Sequence, residues 1–250
     1  MARKRRLVVR TAAVAGGILA AVAAFVLVAG LTLPDVSELK SRNPASTSLM
    51  RQREAEAKKA GRLYASRREW VALETIPALL QRAVLVSEDA AFFEHKGIDF
   101  AELKVAIRQG LKERRLVRGA STITQQLAKN LFLSTDRTLW RKLKEVWLAK
   151  RLEKALSKNR IFALYLNLIE FGPGVFGVQA AARHWFGKEA AGLTLEEAVR
   201  LAAIIPRPLR SDPRTNDAWM KFKGRWIADT LKAVGAISLD EHDSLVLSFE

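Results

Sequence analysis

The feature that most constrains this 250-residue chain is an uncharged run near its N-terminus, Ala12–Leu33. As a helix, these 22 residues would reach about 33 Å, against a bilayer hydrocarbon core of about 30 Å. Five basic residues and no acidic one precede the run, in Met1–Arg10, so the positive-inside rule puts the N-terminus in the cytoplasm. We therefore predict a cytoplasmic basic tail over 1–11 and one transmembrane helix over 12–33. The alternative is a cleaved signal peptide, whose apolar core is usually only about 7–15 residues long.

The remaining sequence changes composition once, near residue 69. Residues 34–68 begin with Pro34, Pro44 and several Ser and Thr residues, then become rich in Lys, Arg, Glu and Ala. This composition predicts a stalk or linker, whose basic side chains lie near anionic lipid head groups or are simply solvated. From residue 69 to residue 250 the apolar residues recur often enough for one folded domain.

Charge and residue usage restrict the kind of partner and of chemistry. The net charge of +16 indicates an anionic partner, which is nucleic acid, anionic lipid or a phosphorylated substrate. The chain has no cysteine, which excludes disulfides and thiolate chemistry. Its three histidines, His95, His184 and His242, are too far apart for a recognisable zinc motif, so we predict no protein-built metal site.

From Trp70 onward the apolar spacing is typical of helices, with no convincing run of alternating strands. Thr75 and Pro77 predict one helix start, and Thr122 and Gln125 have the spacing of a capping box. The further predicted helices are Asp99–Leu111, Arg137–Leu156 capped by Asp136, a helix after Ser157, Val178–Phe186 and Leu195–Ile205. We expect Lys112–Arg118 to form a basic loop and Phe171–Gly177 a glycine loop.

The segment Val86–Gly97, with the sequence VSEDAAFFEHKG, holds the strongest candidate for catalysis. An apolar run leads directly into Glu88 and Asp89. A carboxylate delivered in this way is partly desolvated, which raises its pKa toward the range useful for general acid or base catalysis at neutral pH. Taken alone, the pair also fits two solvated carboxylates at the end of a helix.

Five segments in order resemble the motifs of family 51 glycosyltransferases, the peptidoglycan polymerases. They are EDAAFFEHKG, GASTITQQLAKN, RKLKE, KNRIFALYLNLIEFGPGVFG and EEAVRLAAIIPRP, within about Trp70–Asp212. The resemblance implies a mostly α, lysozyme-like, two-lobed domain over 69–250, behind the N-terminal transmembrane helix. The Ser-x-x-Lys and Lys-Thr-Gly elements of a transpeptidase are missing apart from Ser37–Lys40 in the predicted stalk, which indicates a monofunctional member.

The resemblance also implies the substrate and its location. Such enzymes polymerise lipid II, a disaccharide-pentapeptide on undecaprenyl pyrophosphate, at the outer, periplasmic face of the bacterial cytoplasmic (inner) membrane. The expected partners are therefore lipid II, the growing glycan strand and membrane lipid, together with cell-wall synthesis or division proteins. No nucleic acid is expected.

The reaction needs one base and several cations. A pyrophosphate leaves readily once its charge is neutralised, whereas the acceptor hydroxyl is a poor nucleophile that needs a base. By resemblance Glu88 is that base, and one in-line displacement inverts the anomeric centre to give a β-1,4 link. The resemblance leaves open a Mg²⁺ or Mn²⁺ ion that assists the donor diphosphate.

The resemblance assigns further roles by motif position. Glu145 is a second catalytic carboxylate that orients a cation or a metal-bound phosphate, although Arg141 and Glu145 also have the spacing of a surface ion pair on a helix. Gln125 fits either substrate binding or helix capping. The implied substrate-binding residues are Lys129, Arg137, Ser121, Gln125, Gln126, Arg141, Lys142 and Asn167, and the implied structural residues of the first motif are Asp89, Phe92, His95 and Gly97.

Three alternatives keep parts of this interpretation. A lysozyme-like glycan-cleaving enzyme would share the fold but need an acid for the sugar leaving group. A membrane-anchored basic protein would leave the carboxylate motifs unexplained, and an inactive cell-wall scaffold would bind without turnover. One apolar stripe at helical spacing also has two interpretations; it consists of Phe100, Leu103, Ile107 and Leu111. It is either plain core or part of a lobe over Phe100–Val117 that enters the membrane interface. In the second case the basic residues Lys112, Arg114 and Arg115 would contact the lipid head groups.

Overall fold

The computed structural model describes residues 16–17, 20, 28, 30, 33–113, 121–136 and 138–250. The chain divides into two units, Met1–Asp35 and Val36–Glu250, and the elements below all belong to the second. Among the described residues, no helix combines the length and the apolar character needed to cross a bilayer. Three predicted features lie wholly or partly outside the described residues. They are most of the transmembrane helix, Arg137, and residues 114–120, which include most of the predicted basic loop and the start of the second motif.

The second unit is mostly helical, as predicted, with ten α-helices in its described part. These are α1 Ser48–Lys59, α2 Ala78–Glu88, α3 Phe100–Glu113, α4 Ile123–Phe132, α5 Leu139–Ala155, α6 Lys158–Leu168, α7 Val178–Phe186, α8 Leu195–Ile204, α9 Ala218–Ala233 and α10 Leu239–Leu247. Single 3₁₀ turns lie at Ser37–Lys40, Leu73–Thr75 and Ala190–Gly192.

Local capping explains most of the helix starts. The capping box of Thr122 and Gln125 is formed at the start of α4, and the Ser157 side chain caps α6, so both predictions are confirmed. The predicted cap of α5 is wrong. Thr138, rather than Asp136, accepts the hydrogen bond from the Arg141 amide, while Asp136 accepts one from Ser134. Thr138 wins because it directly precedes the first helical residue, in the extended conformation that a cap requires.

A small sheet adds three short strands to a domain whose sequence shows no convincing run of alternating strands. Its strands are β1 Arg67–Arg68, β2 Glu170–Gly172 and β3 Val175–Phe176, in the order β1-β3-β2. The predicted glycine loop is therefore a tight β2–β3 hairpin, and β1 pairs in parallel with β3. Strands of two or three residues carry too little alternation to be read from the sequence.

Helix α6 forms the centre of the core, with eight consecutive buried residues from Ile161 to Leu168. A helix that is buried on all sides needs neighbours on all its faces. Helices α4, α5 and α7 pack around α6. A second group of helices forms where α8 packs against α2 and α9, and α9 also contacts α10. The two groups meet at the C-terminal end of α2, where Gln126 of α4 donates a hydrogen bond to Glu88.

From residue 36 onward, the segment predicted as a stalk belongs to the same compact unit as the rest of the domain. Helix α1 packs on α4, and Arg53 on α1 forms a bidentate pair with the buried Glu170 of β2. Arg160 of α6 donates hydrogen bonds to the carbonyl oxygens of Leu39 and Arg42, which fastens the start of the segment to the core. The domain therefore begins near residue 36 rather than at residue 69, because polar groups of this segment find partners that are distant in sequence.

Helix α3 leaves its apolar stripe in solvent. Phe100 and Ile107 are 69% and 54% exposed, and Leu103 is 36% exposed. These three residues are therefore not core, and of the two interpretations of the stripe only a surface role fits them.

Candidate active site

Glu88 is the last residue of α2 and lies in a cavity of about 450 Å³. The residues around it include Ser87, Asp89, Ser121, Lys223 and Trp226. The two carboxylate oxygens of Glu88 have different partners, because the Ser87 hydroxyl donates to Oε1 at 3.0 Å and the Gln126 amide donates to Oε2 at 3.0 Å. The carboxylate is thus held in one orientation at the wall of the cavity.

The surroundings of Glu88 raise its pKa and so make it a stronger base. Desolvation by the surrounding protein raises its pKa above the ordinary glutamate value, while the hydrogen bond from Gln126 and the charges of Lys223 and Lys129 act in the opposite direction. A carboxylate with a raised pKa is a stronger base than a solvated one, and it still ionises because donors and cations face it.

Gln126 is oriented by a second residue, Tyr165. The Tyr165 hydroxyl donates to the Gln126 side-chain oxygen at 3.0 Å, which leaves the amide NH₂ group to face Glu88. Complete burial raises the pKa of Tyr165 well above its ordinary value, so the phenol keeps its proton and remains a donor. The chain Tyr165–Gln126–Glu88 therefore fixes which way the amide points.

Asp89 is turned away from Glu88 toward the start of α4. It accepts hydrogen bonds from His95 Nε2 at 2.9 Å and from the Ile123 backbone amide at 2.9 Å. His95 Nδ1 accepts from the Gly97 amide, which fixes the proton on Nε2 when the ring is neutral. Burial still raises the pKa of Asp89 against these hydrogen bonds. Asp89, His95 and Gly97 thus join the first motif to the second.

Glu145 lies on α5 within a group of cations. It is buried, and it accepts hydrogen bonds from Arg141 at 2.5 Å and from Lys142, whose ammonium also donates to Ser121 Oγ at 2.9 Å. The Arg141–Glu145 pair is therefore formed, but as a buried contact rather than a surface one. The carboxylate holds two cations and Ser121 in one cluster beside the second motif.

Lys129 on α4 lies in the field of both motif carboxylates. Desolvation lowers its pKa, the nearby Arg141 and Lys142 lower it further, and Glu145 and Glu88 raise it. Lys129 forms no salt bridge within 33–113, 121–136 or 138–250, so its ammonium remains available for an anion. The structure therefore brings Lys129, Arg141, Lys142 and Ser121 together, while Arg137 lies outside the described residues.

Two residues predicted to bind substrate are committed to the fold instead. Gln125 is buried, and its side-chain oxygen accepts the Thr122 amide in the capping box. Asn167 is fully buried, and its amide group pairs with the backbone of Val71 and with the Ala163 carbonyl. The two residues are only 4% and 0% exposed, so they offer little surface to a substrate, and Phe92 is likewise fully buried core.

Lys223 on α9 is the main site residue that sequence reasoning missed. Its ammonium donates to the Ser87 carbonyl at 3.2 Å and interacts with the Glu88 charge, and desolvation lowers its pKa. Tyr165 was also missed, because an apolar helix is an ordinary place for a tyrosine. No sequence signal separates Lys223 from the many other lysines, since its 135-residue distance from Glu88 is closed only by the packing of α9 on α2.

No group of three or more His, Asp or Glu residues that could hold a metal ion occurs in the part of the chain that the structure describes. Glu145, to which the resemblance gives a role near a metal-bound phosphate, is already engaged by Arg141 and Lys142. The described residues therefore do not fit a protein-built metal site.

Comparison with known proteins places the chain in a family. The family described as Transglycosylase matches residues 54–232, well over half of the chain. A biosynthetic peptidoglycan transglycosylase of Nitrosospira multiformis is 46% identical over 185 residues, which cover 74% of this chain and 80% of the relative. A protein of the same name from Chromobacterium violaceum is 41% identical over 208 residues, covering 83% and 91%. The motifs, the cation cluster around Glu145 and these matches lead to one conclusion, which is that the chain belongs to the transglycosylase family.

Proposed function

We propose that this chain is a peptidoglycan glycosyltransferase that joins lipid II units into β-1,4-linked glycan strands and releases undecaprenyl diphosphate. The observation that carries the proposal is the environment of Glu88. Its carboxylate has a raised pKa, is oriented by Ser87 and Gln126, and shares its cavity with Lys223. The names of the relatives and the family match supply the substrate class.

In the proposed reaction Glu88 accepts the proton of the acceptor 4-hydroxyl. The acceptor oxygen then forms its bond to the donor's anomeric carbon as the bond from that carbon to the diphosphate oxygen breaks. Attack from the face opposite the leaving group inverts the anomeric centre. Lys223 helps to keep Glu88 ionised between turnovers, because its positive charge lowers the Glu88 pKa against desolvation.

The leaving diphosphate requires fixed positive charge rather than an acid. Lys129, Arg141 and Lys142 supply it in the described cluster, and Arg137 joins them by motif position. Glu145 serves as the positioning residue of this cluster, since it holds Arg141 and Lys142 by hydrogen bonds. No step of the proposed reaction passes through a metal ion.

The proposed anchoring follows from the apolar surface and from the sequence. We infer a single-pass anchor at 12–33, a lysozyme-like two-lobed domain on the periplasmic face of the inner membrane, and contact of α3 with the bilayer interface. The exposed Phe100, Val105 and Ile107 support the third point, since exposed apolar side chains on one helix are typical of membrane contact. Cell-wall synthesis or division proteins remain predicted partners.

A glycan-cleaving enzyme is the main alternative with the same site chemistry. Cleavage by the usual two-carboxylate mechanism would require a second carboxyl group to act on the sugar. Asp89 is bound to His95 and the Ile123 amide, and Glu145 is held by Arg141 and Lys142. The test is to incubate the purified protein with labelled lipid II and, separately, with preformed glycan. We expect long strands from lipid II and no shortening of preformed glycan. Shortened glycan would establish cleavage, and lipid II bound without turnover would indicate a scaffold.

A further inference from the structure

The wall of the Glu88 cavity contains one large aromatic side chain that takes no part in the proposed proton transfer, Trp226 of α9. This residue is 42% exposed, although tryptophan is on average one of the more buried residue types. Ligand cavities are commonly lined by aromatic rings together with a few polar groups that orient the ligand. An open indole beside the candidate base is therefore a surface that a bound substrate can cover.

Lys223 holds the Trp226 ring close to the base. The two residues are three positions apart and so lie on the same face of α9. The Lys223 ammonium lies over the indole, 3.9 Å from the ring centroid, and donates to the Ser87 carbonyl at 3.2 Å. One ammonium thus lies between the ring and the residue that directly precedes Glu88. It covers one face of the ring, and the exposed part of the indole remains for a ligand.

The polar groups of the same cavity suit a neutral ligand that is rich in hydroxyl groups. Thr230 lies one turn beyond Trp226 on α9, and Asp99 and Glu102 belong to the cavity wall at the start of α3. Carboxylates and hydroxyls accept hydrogen bonds from sugar hydroxyls. Two carboxylates would repel an anionic diphosphate, so this part of the cavity fits a sugar rather than the leaving group. A sugar ring has C–H groups on its faces and hydroxyls at its edge, which matches a flat apolar ring bordered by polar groups.

We propose that Trp226 stacks against the acceptor sugar and so positions its 4-hydroxyl at Glu88. The inference rests on the proposed function, from which it takes the acceptor. Trp226 binds the acceptor without exchanging a proton and without contacting the leaving diphosphate. Its loss should therefore weaken acceptor binding more than it slows the bond-forming step at saturating acceptor.

Contact with the bilayer interface is the competing role for an exposed tryptophan. Phe222 separates the two roles. It lies four positions before Trp226 on the same side of α9 and is more exposed, at 64%, but it is not among the described residues around the Glu88 cavity. A side chain that contacts lipid has no need to share a cavity with the base, as Trp226 does. Phe222 is therefore the matched control.

The test is a single coupling by the full-length protein between a donor that cannot accept and an acceptor that cannot donate. The donor is lipid II whose acceptor 4-hydroxyl is replaced by hydrogen. The acceptor is lipid II with a methylene group in place of the anomeric oxygen, so that it has no leaving group. We expect Trp226→Leu, which keeps an apolar side chain but removes the flat ring, to raise the acceptor KM about tenfold. The donor KM and kcat should stay close to their wild-type values, and Phe222→Leu should change none of the three.

Trp226→Phe and the melting temperature separate binding from folding. Trp226→Phe retains an aromatic ring and should recover much of the lost acceptor affinity. Trp226→Leu should melt near the wild-type temperature, because the side chain is largely open to solvent. A shifted acidic limb of the pH–rate profile at an unchanged acceptor KM would mean that Trp226 acts only by holding Lys223, and would contradict the inference.

Two further outcomes would overturn the inference while leaving the proposed function intact. One is wild-type coupling with an unchanged acceptor KM in Trp226→Leu. The other is an equal rise of the donor and acceptor KM values, or the same effect in Phe222→Leu, which would assign Trp226 to membrane contact. A wild-type protein that forms no bond between this donor and this acceptor would instead overturn the proposed function, and the inference with it.

Discussion

At the scale of single residues, the site depends on how neighbours set the protonation of Glu88. Gln126, Lys223 and Ser87 all oppose the desolvation that raises its pKa. A base must be deprotonated to act, so activity should fall as the pH falls through the Glu88 pKa. The groups that stabilise the charged carboxylate therefore set the pH at which activity begins to fall.

Gln126→Leu tests this balance. Removal of the amide donor should raise the Glu88 pKa further, so the acidic limb of the pH–rate profile should move to higher pH. The measurement is the initial rate of glycan synthesis against pH, with Gln52→Leu on α1 as the control. An unchanged limb in the Gln126 variant would mean that its hydrogen bond to Glu88 does not tune the base.

Lys129→Ala tests the role of the cation cluster. We expect the turnover number to fall about 100-fold, with weaker donor binding, because charge on the leaving diphosphate loses a partner. In the wild type, activity should also fall as ionic strength rises, since salt screens contacts with phosphate. A variant with unchanged donor affinity and rate would assign Lys129 to ordinary surface charge.

At the scale of elements, the apolar side chains of α3 can be tested for two roles, packing in the core or contact with the membrane. We expect Phe100→Ser combined with Ile107→Ser to leave the domain folded, since both side chains are exposed. In a protein lacking residues 1–33, the same change should weaken association with anionic vesicles about tenfold or more, because each apolar side chain loses about 1.5–3 kcal/mol of transfer free energy. Vesicle sedimentation and thermal melting measure the two effects. A melted fold would make the stripe core, and equal vesicle binding would exclude membrane contact by α3.

Helix boundaries and caps are the features that the sequence predicted best. The boundaries of α7 and the caps at Thr122 and Ser157 follow from residues within a few positions of each other. The three short strands were missed because their pairing joins residues 67–68 to residues 175–176. Lys223 and Tyr165 were missed for the same reason, since their contacts with the site close distances that no local pattern records.

At the scale of the whole molecule, the segment from residue 36 to residue 68 is the largest difference from expectation. Its composition is that of a linker, yet Arg53 pairs with Glu170 of β2, and Arg160 of α6 donates to the Leu39 carbonyl. The composition of a segment indicates how polar it is on average. It does not show that one of its arginines forms a bidentate ion pair with a buried glutamate elsewhere in the chain.

Arg53→Gln tests whether this segment stabilises the domain. The change leaves the buried Glu170 without its cation, so the free energy of unfolding should fall by about 1–3 kcal/mol, less than for a fully buried pair because Arg53 is 21% exposed. Arg51→Gln, at an exposed position on the same helix, is the control in urea denaturation. Equal stability of the two variants would return residues 36–68 to the role of a stalk.

Glu88→Gln is the sharpest test of Glu88 as the base of a glycan polymerase. The change keeps the side-chain volume and removes the base. With labelled lipid II and purified full-length protein, we expect a rate at least about 1000-fold below wild type, with lipid II binding and the melting temperature retained. A variant that still makes glycan strands at near the wild-type rate would mean that Glu88 is not the base.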